Sequence, residues 1–279
     1  MPDSTFYDPR QVQSFFDSFG DREWQRLVAS PAQEIKLAIH LHYLNRYITP
    51  GARVLEIGAG AGRFTQALAA AGARIVAADL SSGQIELNRR YAHQLGFAHA
   101  VEDWLQLDIC DLGRFPDQSF DAVVAYGGPF SYVLDQRDHA LAECLRVLKP
   151  GSILLLSVMS LWGSASWNLE GVLMGSPVDA NRRITTSGDI TPATFSERKN
   201  NFMHLFRSAE LSAWLLAAGL EILNLSASGC LSVARDALLE KVRSDPEKWN
   251  ELLRMELEAS AEPGSLDLGT HLIAVARRP

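Results

Sequence analysis

The sequence predicts an α/β fold: a doubly wound, mostly parallel sheet of seven strands with helices on both faces, preceded by a helical cap. Three observations predict it. From residue 52, short β-branched runs alternate with helical patterns, as in βαβ units whose strands are buried on both faces. The first run ends in a glycine-rich turn, "VLEIGAGAGRF", at residues 54–64. The 279 residues suffice for one large domain, or for a core domain with a cap.

Residues 1–49 hold no good strand and read as two or three helices forming the cap. Pro31 after Ser30 suits an N-cap followed by proline at the first helical position. Ile35, Ala38, Ile39, Leu41, Tyr43 and Leu44 continue a helical stripe. Residues 50–279 form the second unit. "ARVLEIG" reads as a buried strand, "GRFTQALAAAG" as a helix ending at Gly72, "ARIVAADLS" as the second strand and "SSGQIELNRRYAHQLG" as the second helix. A third strand is expected to end near Leu107 and Asp108, and "FDAVVAYGG" is the fourth. "QRDHALAECLRVLKPG" is a helix stopped by Pro150 and Gly151, and "SILLLSVMS" is the fifth strand. Residues 160–203 break the rhythm. Gly, Ser, Asn, Thr and Trp are prominent there, and a lid or substrate loop is expected. "SAELSAWLLAAG" is a helix with Ser208 at its start and Glu210 in its first turn. "LEILNLSASG" is the sixth strand, residues 233–260 one long charged helical region, and "GTHLIAVARR" the seventh strand.

Composition narrows the function. The net charge of −7 disfavours a broad phosphate-binding face, so nucleic acid is not the expected partner. Cys110, Cys144 and Cys230 are three in number, widely spaced and without a CxxC pair, which suits free thiols in a reducing compartment rather than disulfides or zinc. The N-terminus lacks a basic n-region and an apolar h-region, and apolar runs such as "SILLLSVM" are far shorter than a membrane span. A cytoplasmic protein without a membrane partner is expected.

The glycine turn separates three kinds of nucleotide site. A P-loop needs GxxxxGK[ST], which is absent. A dinucleotide loop needs GxGxxG. Gly58 and Gly60 fit it, but Arg63 stands where the third glycine would allow close helix–strand packing. The third glycine is Gly62, giving GxGxG. Glu56, two residues before Gly58, would repel a pyrophosphate but suits an ammonium group. A mere tight turn would leave Glu56, Asp79 and Asp108 as three unexplained acids at strand ends.

The pattern of Glu56, Gly58, Gly60 and Gly62 after a first strand resembles motif I of the class I S-adenosylmethionine (SAM) dependent methyltransferases. "VAADLS", "LQLDIC", "FPDQSFDAVVAYGG", "LRVLKPGSILLLS" and "HLIAVAR" follow in the order that family uses. The resemblance covers roughly residues 50–160 and the last strand. It implies a Rossmann-like sheet whose last strand is antiparallel, SAM as cofactor and S-adenosylhomocysteine (SAH) as product. It places Glu56, Gly58, Ala59, Gly60 and Gly62 at the methionine end, Asp79 and Leu80 at the ribose, and Asp108 and Ile109 at the adenine. Ala125 and Tyr126 border the same site. "GGPF" and "MHLF" resemble a bacterial group of mostly unassigned substrate. The implied partner is a small-molecule acceptor methylated on N or O, with a homodimer as the assembly to test for.

Methyl transfer from a sulfonium is an in-line displacement that needs alignment and exclusion of water, and a base only if the nucleophile arrives protonated. The [DNS]PP[YF] motif of exocyclic-amine enzymes is absent: the fourth strand ends in "AYGGPF". "AYGG" and "SVMS" offer no acids for a hard cation, so no metal is expected. His204 is the candidate base, against the blander reading of a loop histidine bound to backbone. His271 opens the last strand and is expected on the cofactor's sheet edge, approaching His204 or serving as core. Tyr126, Tyr132 and Trp162 are candidate acceptor contacts, and Trp167 could help to wall an apolar pocket. Phe15, Phe16 and Phe19 form a helical apolar stripe. His40 and His42 flank Leu41 at a spacing wrong for a metal pair. The rivals are an RNA or protein methyltransferase, a non-catalytic SAM-binding subunit and a propylamine transferase.

Overall fold

The computed structural model describes residues 7–192, 194 and 202–279. Three helices precede the sheet: α1 (Pro9–Asp17), α2 (Arg22–Arg26) and α3 (Pro31–Tyr47). Ser30 caps α3 through its hydroxyl, which accepts the Gln33 N–H, and Pro31 takes the first turn where no N–H is needed.

The alternating region then runs β1 (Arg53–Ile57), α4 (Arg63–Ala70), β2 (Arg74–Asp79), α5 (Ser82–Gln94), β3 (Val101–Gln106), β4 (Phe120–Ala125), α6 (Pro129–Tyr132), α7 (Arg137–Val147) and β5 (Leu148–Met159). After β5 come α8 (Leu161–Trp167), α9 (Leu169–Gly175), α10 (Val178–Ser187) and a ribbon of β6 (Asp189–Ile190) and β7 (Met203–His204). The chain continues through α11 (Ser208–Ala217), β8 (Glu221–Ala227), α12 (Asp236–Arg243), α13 (Pro246–Ser260) and β9 (His271–Arg277).

One seven-stranded sheet has the order β3-β2-β1-β4-β5-β9-β8. β9 lies antiparallel between β5 and β8, and the other pairings are parallel. Successive strand residues feed opposite faces. Leu55, Val76 and Val123 pack under α7 and α11, while Val54, Ile75 and Val124 pack under α3 and α4. Among the described residues no helix is long and apolar enough to cross a membrane.

Two expectations change. Residues 160–203 are not simply loop: α8, α9, α10 and the ribbon occupy the described part, and residues 193 and 195–201 lie outside it. The Ser160 hydroxyl starts α8 by accepting the Gly163 N–H. Residues 233–260 form two helices. Asp245 interrupts them and caps α13 by accepting from the N–H groups of Glu247 and Lys248.

Candidate functional site

The carboxyl ends of β1, β2 and β4 meet where the strand order reverses, and a cavity of about 90 Å³ opens there. Gly58, Gly60, Asp79, Leu80, Asp108, Ile109 and Tyr126 line it. Gly58 adopts a φ of 70°, and a Cβ there would lie 2.6 Å from Pro129 Cγ, so a side chain would jam the loop against the start of α6. Asp79 ends β2. Its Oδ2 accepts the Gly60 N–H and its Oδ1 the Ser81 N–H, each at 2.8 Å. Each oxygen keeps a second lone pair for a ligand. Burial holds the Asp79 carboxyl up at about 6, against the pull of those two N–H groups. Asp108 accepts the Tyr7 hydroxyl at 2.9 Å and the Cys110 N–H at 2.9 Å.

The cap supplies residues that sequence reasoning missed. Glu23 and Arg26 of α2, Phe16 of α1 and Tyr7 line the same cavity, as does Gln84 of α5. The Arg26 guanidinium pairs with Glu23 at 2.7 Å, and the Glu23 side chain lies 3.5 Å from where a Cβ on Gly60 would be. Glu23 and Arg26 sit on a short polar helix that reads locally as a solvated face. The one available signal was the Glu23–Arg26 spacing of i, i+3.

Other residues named from the sequence lie behind the cavity. Glu56 is buried and does not line it. Its Oε2 accepts the Thr65 hydroxyl at 2.6 Å, and burial raises its pKa to about 8 despite that bond. Glu56 therefore braces β1 against α4 rather than facing a ligand. Ala59 is tied to β2 by its N–H to the Ala78 carbonyl at 3.0 Å. Gly62 packs over Asn88, and Ala125 is fully buried. Tyr132 lines the cofactor-side cavity, not an acceptor pocket, with its ring edge-on to Phe16 at 5.1 Å.

A second cavity, of about 320 Å³, lies on the insertion side of the sheet edge. Its walls come from α3 (Gln33, Lys36), the end of β5 (Met159), the helical insertion (Leu161, Trp167, Val172), the ribbon (Met203) and the start of β9 (His271). Tyr132 of the first cavity and Met159 of the second both pack around Gly128, where a Cβ would lie 3.5 Å from the Tyr132 ring and 3.6 Å from Met159. The buried Glu256 carboxylate fixes the chamber's remaining wall by accepting N–H groups of Cys230, Leu231 and Ser232. Close approach of α8 to the turn before β9 requires Gly163, since a Cβ there would stand 1.8 Å from the Gly269 carbonyl oxygen.

His204 does not reach either cavity, and this corrects its expected role as base. It is buried, with Nδ1 2.7 Å from Asp189 and Nε2 2.7 Å from Glu210. Burial lowers its pKa, but the bonds to Asp189 and Glu210 outweigh burial and raise it overall. With both nitrogens held, it has no lone pair to offer a substrate. It ties β7 to α11, whose cap is Arg207 rather than Ser208. His271 faces His40, ring centroids 6.3 Å apart, and not His204. Burial lowers both imidazoles, His40 to about 3 and His271 well below its ordinary value, so both are neutral at pH 7. The Tyr126 ring packs edge-on against His40 at 4.8 Å. Trp162 lies outside the chamber with the Arg207 guanidinium over its ring. Trp167 lines the chamber while remaining 62% exposed.

This geometry agrees with the comparisons to known proteins. Residues 55–156 match a family model described as a methyltransferase domain. A demethylmenaquinone methyltransferase of Thermobifida fusca (strain YX) is 30% identical over 238 residues, 81% of this chain and 89% of that protein. The chain belongs to the class I SAM-dependent methyltransferases. A demethylmenaquinone methyltransferase of Clavibacter sepedonicus is 37% identical over 157 residues, which are 54% of this chain and 59% of that protein. The crystal structure of Burkholderia thailandensis 1,6-didemethyltoxoflavin-N1-methyltransferase, with bound 1,6-didemethyltoxoflavin and SAH, has a TM-score of 0.56. It is 17% identical and covers 96% of this chain and 88% of its own, a likeness of fold. SAM is the family's cofactor. The donor set of this methyltransferase fits it: the acids suit hydroxyls and amines, and the buried Gln84 Oε1 at the cavity has no partner in the protein.

Proposed function

We propose that this methyltransferase moves the SAM methyl group to an N or O atom of a small, mainly apolar acceptor held in the 320 Å³ chamber. The single observation that carries the reading is that a second cavity lies beside the strand-end one, with Tyr132 of the first and Met159 of the second both packed around Gly128. One is lined by strand-end acids and a glycine turn, the other mostly by apolar side chains. The chamber's volume is at the lower end of the roughly 300–1,000 Å³ usual for small-ligand pockets. The relatives named for demethylmenaquinone, a small molecule, support an acceptor of that size class.

SAM, when bound, supplies an electrophilic methyl group and departs as a neutral thioether. The chain's own residues do the rest. Asp79 takes the ribose hydroxyls on its spare lone pairs, and Asp108 with Leu80 and Ile109 brackets the adenine. Glu23 faces the ammonium of the methionine end and Arg26 its carboxylate, the places first given to Glu56 and the glycine loop. Phe16, Tyr132 and Pro129 exclude water from the cofactor side.

The test is to incubate the protein with methyl-labelled SAM in a cell extract and fractionate the products. Label in the small-molecule fraction is expected. Label confined to RNA or protein would contradict the reading.

A further inference from the structure

We propose that the α3 wall of the acceptor chamber is an oxyanion site, in which Lys36, flanked by Gln33 and His271, receives an acidic group of the acceptor. That group is a carboxylate, phenolate or enolate. The proposal rests on the chamber being the acceptor site and goes beyond it by naming the acceptor's charge.

Lys36 and Asp236 are the charged side chains lining the chamber among the described residues, and Asp236 sits exposed at the start of α12. Lys36 is half-buried on α3, and the surrounding walls are mainly apolar, with Met159, Leu161 and Leu205 among them. Its cationic neighbour Arg26 is already engaged by Glu23. Its imidazole neighbours His40 and His271 are neutral. Among the described residues the groups acting on Lys36 are burial and the Arg26 charge, with no carboxylate balancing them; together they lower its pKa to about 8.

A cation facing an apolar cavity without a counter-ion is disfavoured, and an anion arriving there relieves that cost on both sides. Gln33 lines the same wall and has a buried Oε1 without a partner. Turned over, its amide offers an NH₂ donor to the same anionic group. The site therefore has a charge, a neutral hydrogen-bonding group and an apolar body opposite, the arrangement that recognises a flat acid by its head.

The test is calorimetric titration with 2-naphthoate and its neutral isostere 2-naphthamide, in wild type, Lys36→Met and Lys36→Arg. Wild type is expected to bind the acid about ten- to hundred-fold more tightly than the amide. Lys36→Met should abolish that preference while leaving amide binding unchanged, and Lys36→Arg should keep much of it. Equal binding of acid and amide by wild type, or a preference that survives in Lys36→Met, would overturn the proposal. SAH is titrated separately into the same proteins. Its failure to bind would sink the cofactor reading, whereas the naphthoate preference, measured without SAH, judges the oxyanion site by itself. Unchanged SAH affinity in Lys36→Met also shows that the variant is folded.

Discussion

The cofactor cavity takes its fixed polar groups from the ends of adjacent strands: Asp79 closes β2, Asp108 follows β3, and Gly58 and Gly60 follow β1. The acceptor chamber takes its walls from segments as far apart in sequence as Gln33, Met159, Trp167 and His271. The first is a property of the sheet and its turns, set by local backbone geometry. The second exists only once the cap, the insertion and the last strand have packed together. The difference teaches that the fixed polar groups of one cavity come from local strand-end geometry, while the proposed acceptor side depends almost wholly on tertiary assembly.

The predictions test how separable the two sides are. Asp79→Ala removes a carboxylate that accepts two backbone N–H groups and, in the proposed reading, would hold the ribose. SAH affinity should fall about hundred-fold, with naphthamide binding in the chamber unchanged. Loss of both by calorimetry would show that the cavities are not independent. Gly163→Ala should do the reverse. Its Cβ clashes with the Gly269 carbonyl, so urea unfolding should show a loss of about 1–3 kcal/mol, while SAH affinity of the folded protein is retained.

His204 gives a pH test on the insertion side. Its raised folded pKa means that its stabilisation is full below the unfolded value of 6.5 and is lost as pH rises through the folded value. Glu210 opposes burial with the His204 bonds and has a lowered pKa, so its share is present above 4.5 and lost as pH falls through its folded value. The penalty of His204→Gln, read from melting temperatures, should therefore be largest between those limits and shrink toward alkaline pH. A penalty that grows toward pH 9 would contradict the ion pairs.

Glu56→Gln should change SAH affinity by less than about three-fold. Glu56 is bonded to Thr65 and, with a pKa of about 8, is mostly protonated at pH 7. Glu56 also penalises the fold as pH rises from 4.5 through 8, and the glutamine variant should lose that slope. A ten-fold loss of affinity would restore Glu56 to the ammonium. Smallest of all, Trp162→Ala should leave naphthamide binding unchanged, whereas Trp167→Ala should weaken it.

Much of the sheet and of the cofactor cavity was legible because its signals are local. A β-branched run, a glycine turn and an acid at a strand end are adjacent in sequence, and Asp79 and Asp108 are placed by the strands that carry them. The burial of Glu56 had a signal too: in a strand buried on both faces, "RVLEI" leaves its carboxylate no path to solvent, and Thr65 in the first turn of α4 is its partner. Glu23, Arg26 and Lys36 were illegible for a different reason. A charge on a short helix looks solvated until another element closes over it. His204 was illegible because Asp189, one of its partners, comes from the far strand of a ribbon inside a stretch that reads as loop.

The most direct test of the central claim is a crystal structure of the protein with SAH. The expected result has the ribose hydroxyls on Asp79, the methionine end between Glu23 and Arg26, and the sulfur directed toward Met159 and the 320 Å³ chamber. A sulfur facing away from the chamber, or a ribose held elsewhere, would contradict it.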